Sequence, residues 1–216
     1  MNKLLRLFLS MNSLTAVSVL GVMLALAMPA AAVPLNVAQG KAVTVTGSIG
    51  VISPAADGAG FGDASEFPPA SLASLVDGTN VAEGTYWQSG TAWWDERNAG
   101  SLNNIFEIDL MGLFLINFVS IQADNNDAYQ IFVRDRDGIW SNLLTAGPCC
   151  GPGMRERAGP LTPFEATGFR IDATGGDQFY ALSEFRAMGE EVPEPGSLLL
   201  ISLGLAGLGL YRRKRG

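Results

Sequence analysis

The chain has 216 residues, with 14 Lys and Arg against 21 Asp and Glu, no histidine, and only 16% charged residues, below the roughly 25% usual in soluble domains. Residues 33–191 carry eight Lys and Arg and twenty Asp and Glu, a net −12 that repels phosphate backbones and sets nucleic acid aside as a partner. The missing histidine removes Ser-His-Asp and Cys-His catalysis together with His-ligated zinc or haem, so the chain is read as a non-enzyme.

At the N-terminus, Lys3 and Arg6 precede an apolar run from Leu14 to Ala27, and Ala30-Ala31-Ala32 supplies small side chains for a signal peptidase. Residues 1–32 are read as a signal peptide cut after Ala32. An uncleaved anchor is the alternative, but its run is short against the roughly 20 residues of a full span.

Residues 33–189 show short apolar runs between Gly, Pro, Asn and Asp, without a sustained 3.6-residue period. This predicts an all-β sandwich. Gly47 to Pro69 is rich in Gly, Ala, Pro and Asp and is expected to be a long surface loop. Asp77, Thr79 and Asn80 then share a Gly-containing loop. Their oxygens are of the kind calcium takes; without a metal, Asp77 is a turn carboxylate bonded to nearby backbone.

Trp87, Trp93 and Trp94 lie within eight residues, beside Tyr86, Asp95 and Arg97. Sugars stack their apolar faces on exposed rings and take planar hydrogen-bonding partners, so this cluster is a candidate glycan contact. Trp87 is expected in the core. Trp93 and Trp94 should point to opposite sides of an extended segment, one inward and the other free, with the sequence leaving open which is which.

Alternation predicts strands around Phe106, Ile108 and Leu110, around Val119 and Ile121, and around Tyr129, Ile131 and Val133. Asp137-Gly138 makes a tight turn before Trp140, and Phe169, Ile171 and Phe185 mark further strands. Glu107 and Asp109 share one solvated strand face with no apolar pocket to raise a pKa, and are rejected as a glycosidase pair. Asp124, Asn125, Asn126 and Asp127 form a tip loop, read as ligand contact or as ordinary turn chemistry. Thr145 to Pro163 is broken by Gly and Pro too often to be expected as a strand. Within it, Cys149 and Cys150 are adjacent, and in an oxidising compartment they bond to each other or between molecules.

Residues 190–196 hold a Pro193-Glu194-Pro195 linker, 197–211 a short Leu- and Gly-rich membrane helix, and 212–216 a basic tail expected to stay cytoplasmic. These three parts, in order at the terminus, closely resemble the PEP-CTERM sorting signal of Gram-negative bacteria. The resemblance implies an exosortase-type enzyme that recognises Pro193, Glu194 and Pro195. The protein would be held first in the membrane and then passed to the cell surface or extracellular matrix. A permanent single-pass anchor is the alternative.

In the middle segment, Asn36 to Lys41, Leu75-Val76-Asp77-Gly78-Thr79 followed by Trp87, Phe106 to Leu110, Asp135 to Trp140, and Leu182-Ser183-Glu184-Phe185 with a closing Gly189 resemble the discoidin family, also called coagulation factor 5/8 type C or galactose-binding-like domains. The resemblance implies an eight-stranded jelly roll whose loops at one end bind sugars, lipids or proteins. It also implies a structural calcium between the Asp77 loop and Glu184, although Asn80 stands where a second Asp is common. The resulting expectation is an exported, surface-directed, non-catalytic protein that binds glycan or exopolysaccharide through Trp93, Trp94, Arg97 and Asp124 to Asp127. The alternative is a structural surface or biofilm-matrix protein with no small ligand.

Overall fold

The computed structural model describes residues 34–52, 61–97, 104–192 and 203–204, all within the unit Pro34–Gly216. The predicted signal peptide 1–32, the sorting residues Pro193, Glu194 and Pro195 and the basic tail 212–216 lie outside the described residues. So does the membrane segment 197–211, apart from Leu203 and Gly204, which are helical. Among the described residues no helix is long and apolar enough to cross a membrane.

Eight strands are described: β1 (Leu35–Asn36), β2 (Ala42–Thr46), β3 (Ala92–Asp95), β4 (Ile105–Asp124), β5 (Ala128–Arg134), β6 (Trp140–Ala146), β7 (Met154–Gly175) and β8 (Phe179–Glu191). Every pairing is antiparallel. The fold is the expected all-β, discoidin-like jelly roll.

Two long strands serve both layers. The first half of β4 pairs with β2 and with the second half of β7, which continues to β5 and β6. The second half of β4 lies between the first half of β7 and β8, and β8 carries β1 and β3 on its other edge. The passage between layers occurs where Asp109 faces Gly168 and Phe114 faces Ala166, so that Leu110 to Leu113 bulge against Thr167. Met111 takes φ 57° there, with its amide donating to Asp109 Oδ1 at 3.0 Å.

The alternating residues of both layers meet in one core. Phe106, Ile108 and Leu110 are at most 2% exposed, as the sequence pattern requires of an inward face. Trp94 of β3 packs against Phe106 of β4 at 5.0 Å between ring centroids, and Phe169 of β7 against Phe185 of β8 at 5.0 Å. The closing Gly189 has a steric reason: a Cβ there would stand 2.5 Å from the Leu115 carbonyl oxygen.

Two sequence expectations are corrected. Residues 154–163, expected as loop, form the first half of β7. That half bonds to β4 alone and is an edge, where proline and glycine are tolerated. Leu161, Thr162 and Pro163 bulge opposite Asn117, since Pro160 faces Phe118 and Phe164 faces Ile116. The Gly47–Pro69 loop is more than a surface excursion. Its described parts bring Ile52, Phe61 and Phe67 over the outer face of the second layer, where they build a second apolar cluster with Trp87, Trp93, Met154, Phe179 and Ala181.

Candidate functional site

Four connections meet at one end of the sandwich, because the registers set Asp124 opposite Met154, Ala128 opposite Gly175 and Asp95 opposite Phe179. They are the chain after β3, the β4–β5 turn, the β6–β7 loop and the β7–β8 turn. Hydrogen bonds tie them together: Cys149 N to Asn125 O at 2.8 Å, Asn126 Nδ2 to Asp177 Oδ2 at 2.7 Å, and Glu96 N to Gln178 O at 3.0 Å. Arg157 clamps two of these connections by donating to the carbonyls of Asp124, Asp127 and Gly147 at 2.7 to 3.0 Å.

The tip residues named from sequence therefore lie on one end, but in different settings. Asp124 and Asp127 are 5% and 0% exposed and sit beneath the turn. Asn126 is exposed and Asn125 half-buried above them. Burial lifts the Asp124 carboxyl to about 6, against the pull of the Asn125 amide. Burial, with Asp177 and Asp124 nearby, lifts Asp127 to about 8. Burial also lowers the Arg157 guanidinium and raises the Tyr129 phenol. These two carboxyls lie under the end, and the exposed polar groups above them are Asn126 and Asp177.

The expectation of a free tryptophan is corrected. Trp93 and Trp94 do point to opposite sides, yet they are 0% and 1% exposed. Trp94 enters the main core, while Trp93 enters the outer cluster under Phe61 and Phe67 and donates Nε1 to the Phe67 carbonyl at 3.1 Å. The covering segment lies about thirty residues earlier in the chain, so period-two alternation alone leaves that face looking open. Trp87 is buried as expected. The exposed ring at this end is Tyr86, 41% exposed and supported by Phe67 and Trp87. Arg97 is held in place twice over, by Asp95 at 3.0 Å and by stacking 3.6 Å from the Phe179 ring centroid.

A cleft of about 210 Å³ opens between β6 and the edge half of β7, with Val119, Ile131 and Leu144 inside and Arg157 and Gly147 at its rim. Its walls adjoin the β6–β7 loop, in which Cys149 and Cys150 are bonded to each other. Gly153 seats that loop: at φ 75°, its missing Cβ would stand 2.5 Å from the Thr85 carbonyl oxygen.

The calcium candidates lie around a separate loop. Glu184 is 2% exposed and accepts the Gly78 amide at 3.1 Å, and burial lifts its carboxyl to about 7 despite the Arg186 guanidinium 3.6 Å away. Asp77 Oδ1 accepts the Thr79 amide at 2.7 Å. Asn80 gives Nδ2 to Glu156 at 3.0 Å, while its Oδ1 is buried without a partner. Among the described residues no group of three or more acidic, His or Cys side chains is arranged to hold a metal. Glu107 and Asp109 are engaged in ion pairs with Arg170 and Arg134.

Comparison with known proteins separates the terminus from the domain. Residues 191–215 match the PEP-CTERM protein-sorting motif, which marks the chain as a sorted, exported surface protein. No curated protein matches the chain. The domain resembles a fucolectin from Morone saxatilis serum, with a TM-score of 0.50 at 12% identity over 74% of this chain and 50% of that one. A CBM32 module of Clostridium perfringens, solved in complex with GlcNAc-alpha-1,4-galactose, aligns with a TM-score of 0.47 at 16% identity, over 75% of this chain and 99% of that one. A chitosan-binding module of a Paenibacillus chitosanase/glucanase gives 0.45 at 19%, over 71% and 98%. The fucolectin likeness is one of fold: the domain is a discoidin-like jelly roll.

Proposed function

We propose that this chain is an exported, non-catalytic glycan-binding protein of the cell surface, with its ligand at the end built from Tyr86, Asn126 and Asp177. The observation that carries the reading is the pairing of an exposed ring with planar hydrogen-bonding groups on rigidly tied loops. A sugar needs that combination of an apolar face and fixed polar partners. The fucolectin likeness supports the fold, and the ligand rests on the chemistry of this end. A glycan array probed with the full chain in mild detergent tests it; a folded protein retained by no glycan overturns it.

A structural surface or matrix protein without a small ligand is the second reading. The burial of Trp87, Trp93 and Trp94 favours it, because it removes the broadest rings from solvent. Sugar titrations that leave binding undetected, with the protein abundant in the extracellular matrix, would decide for it.

A calcium ion would be held by Asp77, Thr79, Asn80 and Glu184. The partnerless Asn80 Oδ1 and the buried Glu184 carboxylate fit a hard cation in kind. Bound there, the ion would fix the loop after Val76 to β8. Calcium-dependent melting tests this.

A further inference from the structure

The loop between β6 and β7 runs Pro148-Cys149-Cys150-Gly151-Pro152, without a charged side chain. Pro148, Cys150, Gly151 and Pro152 are exposed, and Cys149 is half-buried. The corner carries no charge of its own, and the Arg155 guanidinium beside Gly151 is paired with Glu83 at 3.2 Å.

Three constraints make the corner rigid. The two prolines fix their own φ. The Cys149–Cys150 bond closes a ring across one peptide, with Cys150 at φ 38°, a region that non-glycine residues rarely adopt. The loop is then pinned at both ends. Cys149 N reaches Asn125 O at 2.8 Å, and Met154 N reaches Thr85 O at 2.9 Å. A surface fixed before binding loses little freedom when a ligand settles on it.

Position and charge narrow the ligand. The bond from Cys149 to Asn125 sets the ring directly beside the exposed Asn126–Asp177 pair, and the Met154–Thr85 bond sets it beside Tyr86 on the other side. Asp177 is the exposed acidic side chain beside the ring, since Asp124 and Asp127 are buried with their carboxyls raised towards the neutral form, and Arg157 is turned to backbone carbonyls. Uronate or sulfated chains would meet repulsion here; hydroxyl and amino groups would not.

Building on the glycan-binding reading, we propose that the Cys149–Cys150 ring with its flanking prolines is an apolar plate that takes the C–H face of an uncharged or amino-bearing pyranose, while Asn126 and Asp177 take its hydroxyls. The disulfide thereby does the service that the buried indoles cannot.

The test uses the full chain in mild detergent on an array of neutral, amino-bearing and uronate-containing glycans. It compares wild type, Asn126→Ala, a Cys149→Ser/Cys150→Ser double variant and a Cys149→Ala/Cys150→Gly double variant. The last keeps a residue suited to positive φ while removing both sulfurs, which separates the plate from the shape of the loop. Circular dichroism and melting confirm folding. The expected result is retention on neutral or amino-bearing glycans, weakened about tenfold or more by Asn126→Ala and by both double variants. Double variants that bind like wild type, while Asn126→Ala does not, would overturn the plate and leave the glycan reading standing. A wild type that prefers uronate chains would overturn the assigned ligand class. A folded wild type that binds nothing would remove the glycan reading and the plate together.

Discussion

The Tyr129 hydroxyl lies 3.4 Å from Asp127 Oδ2 while it also gives to the Ala181 carbonyl at 3.1 Å and takes the Ala181 amide at 3.0 Å. One phenolic hydrogen thus faces two acceptors. The arrangement closes when Asp127 holds a proton and donates it to the phenol oxygen, freeing the phenol hydrogen for Ala181.

Burial and the neighbouring carboxyls push Asp127 up to about 8, whereas in an unfolded chain it titrates near its ordinary 3.8. Between those values the folded state keeps a proton that the unfolded state has lost. The contribution to stability is therefore complete below about pH 4 and declines as pH rises towards 8. Asp127→Asn removes this dependence. Its melting temperature should exceed that of wild type by about 3 °C or more near pH 8, with the gap closing near pH 4. Calorimetry at the two pH values checks this; an equal gap at both would refute it.

The tryptophans are structural. Trp94 packs on Phe106 and Tyr180 and donates Nε1 to Glu96 at 2.8 Å. Trp93→Ala or Trp94→Ala should each cost about 3–5 kcal/mol in urea unfolding. Tyr86→Ala should cost under about 0.5 kcal/mol and act on glycan retention instead. Equal stability losses for all three would contradict the assignment.

Gly189→Ala should destabilise by about 1–3 kcal/mol, because the added methyl would meet the Leu115 carbonyl oxygen at 2.5 Å and Ile116 Cδ1 at 2.8 Å between paired strands. Denaturant titration reads the loss directly. Wild-type stability in this variant would show that β8 can move away from β4.

Calcium at 100 times its dissociation constant should stabilise the protein by about 2.7 kcal/mol. Glu184→Gln should abolish that rise. Identical melting curves with calcium and with chelator would eliminate the ion.

For the terminus, the surface form is expected to lack Arg212 to Arg215 by mass spectrometry, and Glu194→Ala to retain them in the membrane fraction. Surface protein with Arg215 intact would instead favour the permanent anchor.

Local pattern made the inner face of the sandwich legible. Phe106, Ile108 and Leu110 alternate with Glu107 and Asp109, and Tyr129, Ile131 and Val133 follow the same rule, each apolar set lying inside. What escaped the sequence depends on distant chain. Ser120 and Gln122 alternate with Val119 and Ile121, yet both are buried, and Gln122 bonds to the Val81 carbonyl and to Ser183 beneath the β2–β3 connection. The same cover hides Trp93. Asp177 and Arg157 carry no mark of the loop end in the sequence, since the β5–β7 register brings the first and the β4–β7 register the second beside the Asp124 turn from 51 and 30 positions away. A proline-interrupted edge such as residues 154–163 gives no alternation to read at all.

β8 starts at Phe179, beside the loop end, and finishes at Glu191, where the chain leaves for the sorting motif. Thirteen residues of strand span up to about 40 Å. The end of β8 and the loop end are thus at opposite poles of the sandwich. A pull applied at Glu191 would load β8 in shear along β4 and not peel it away bond by bond.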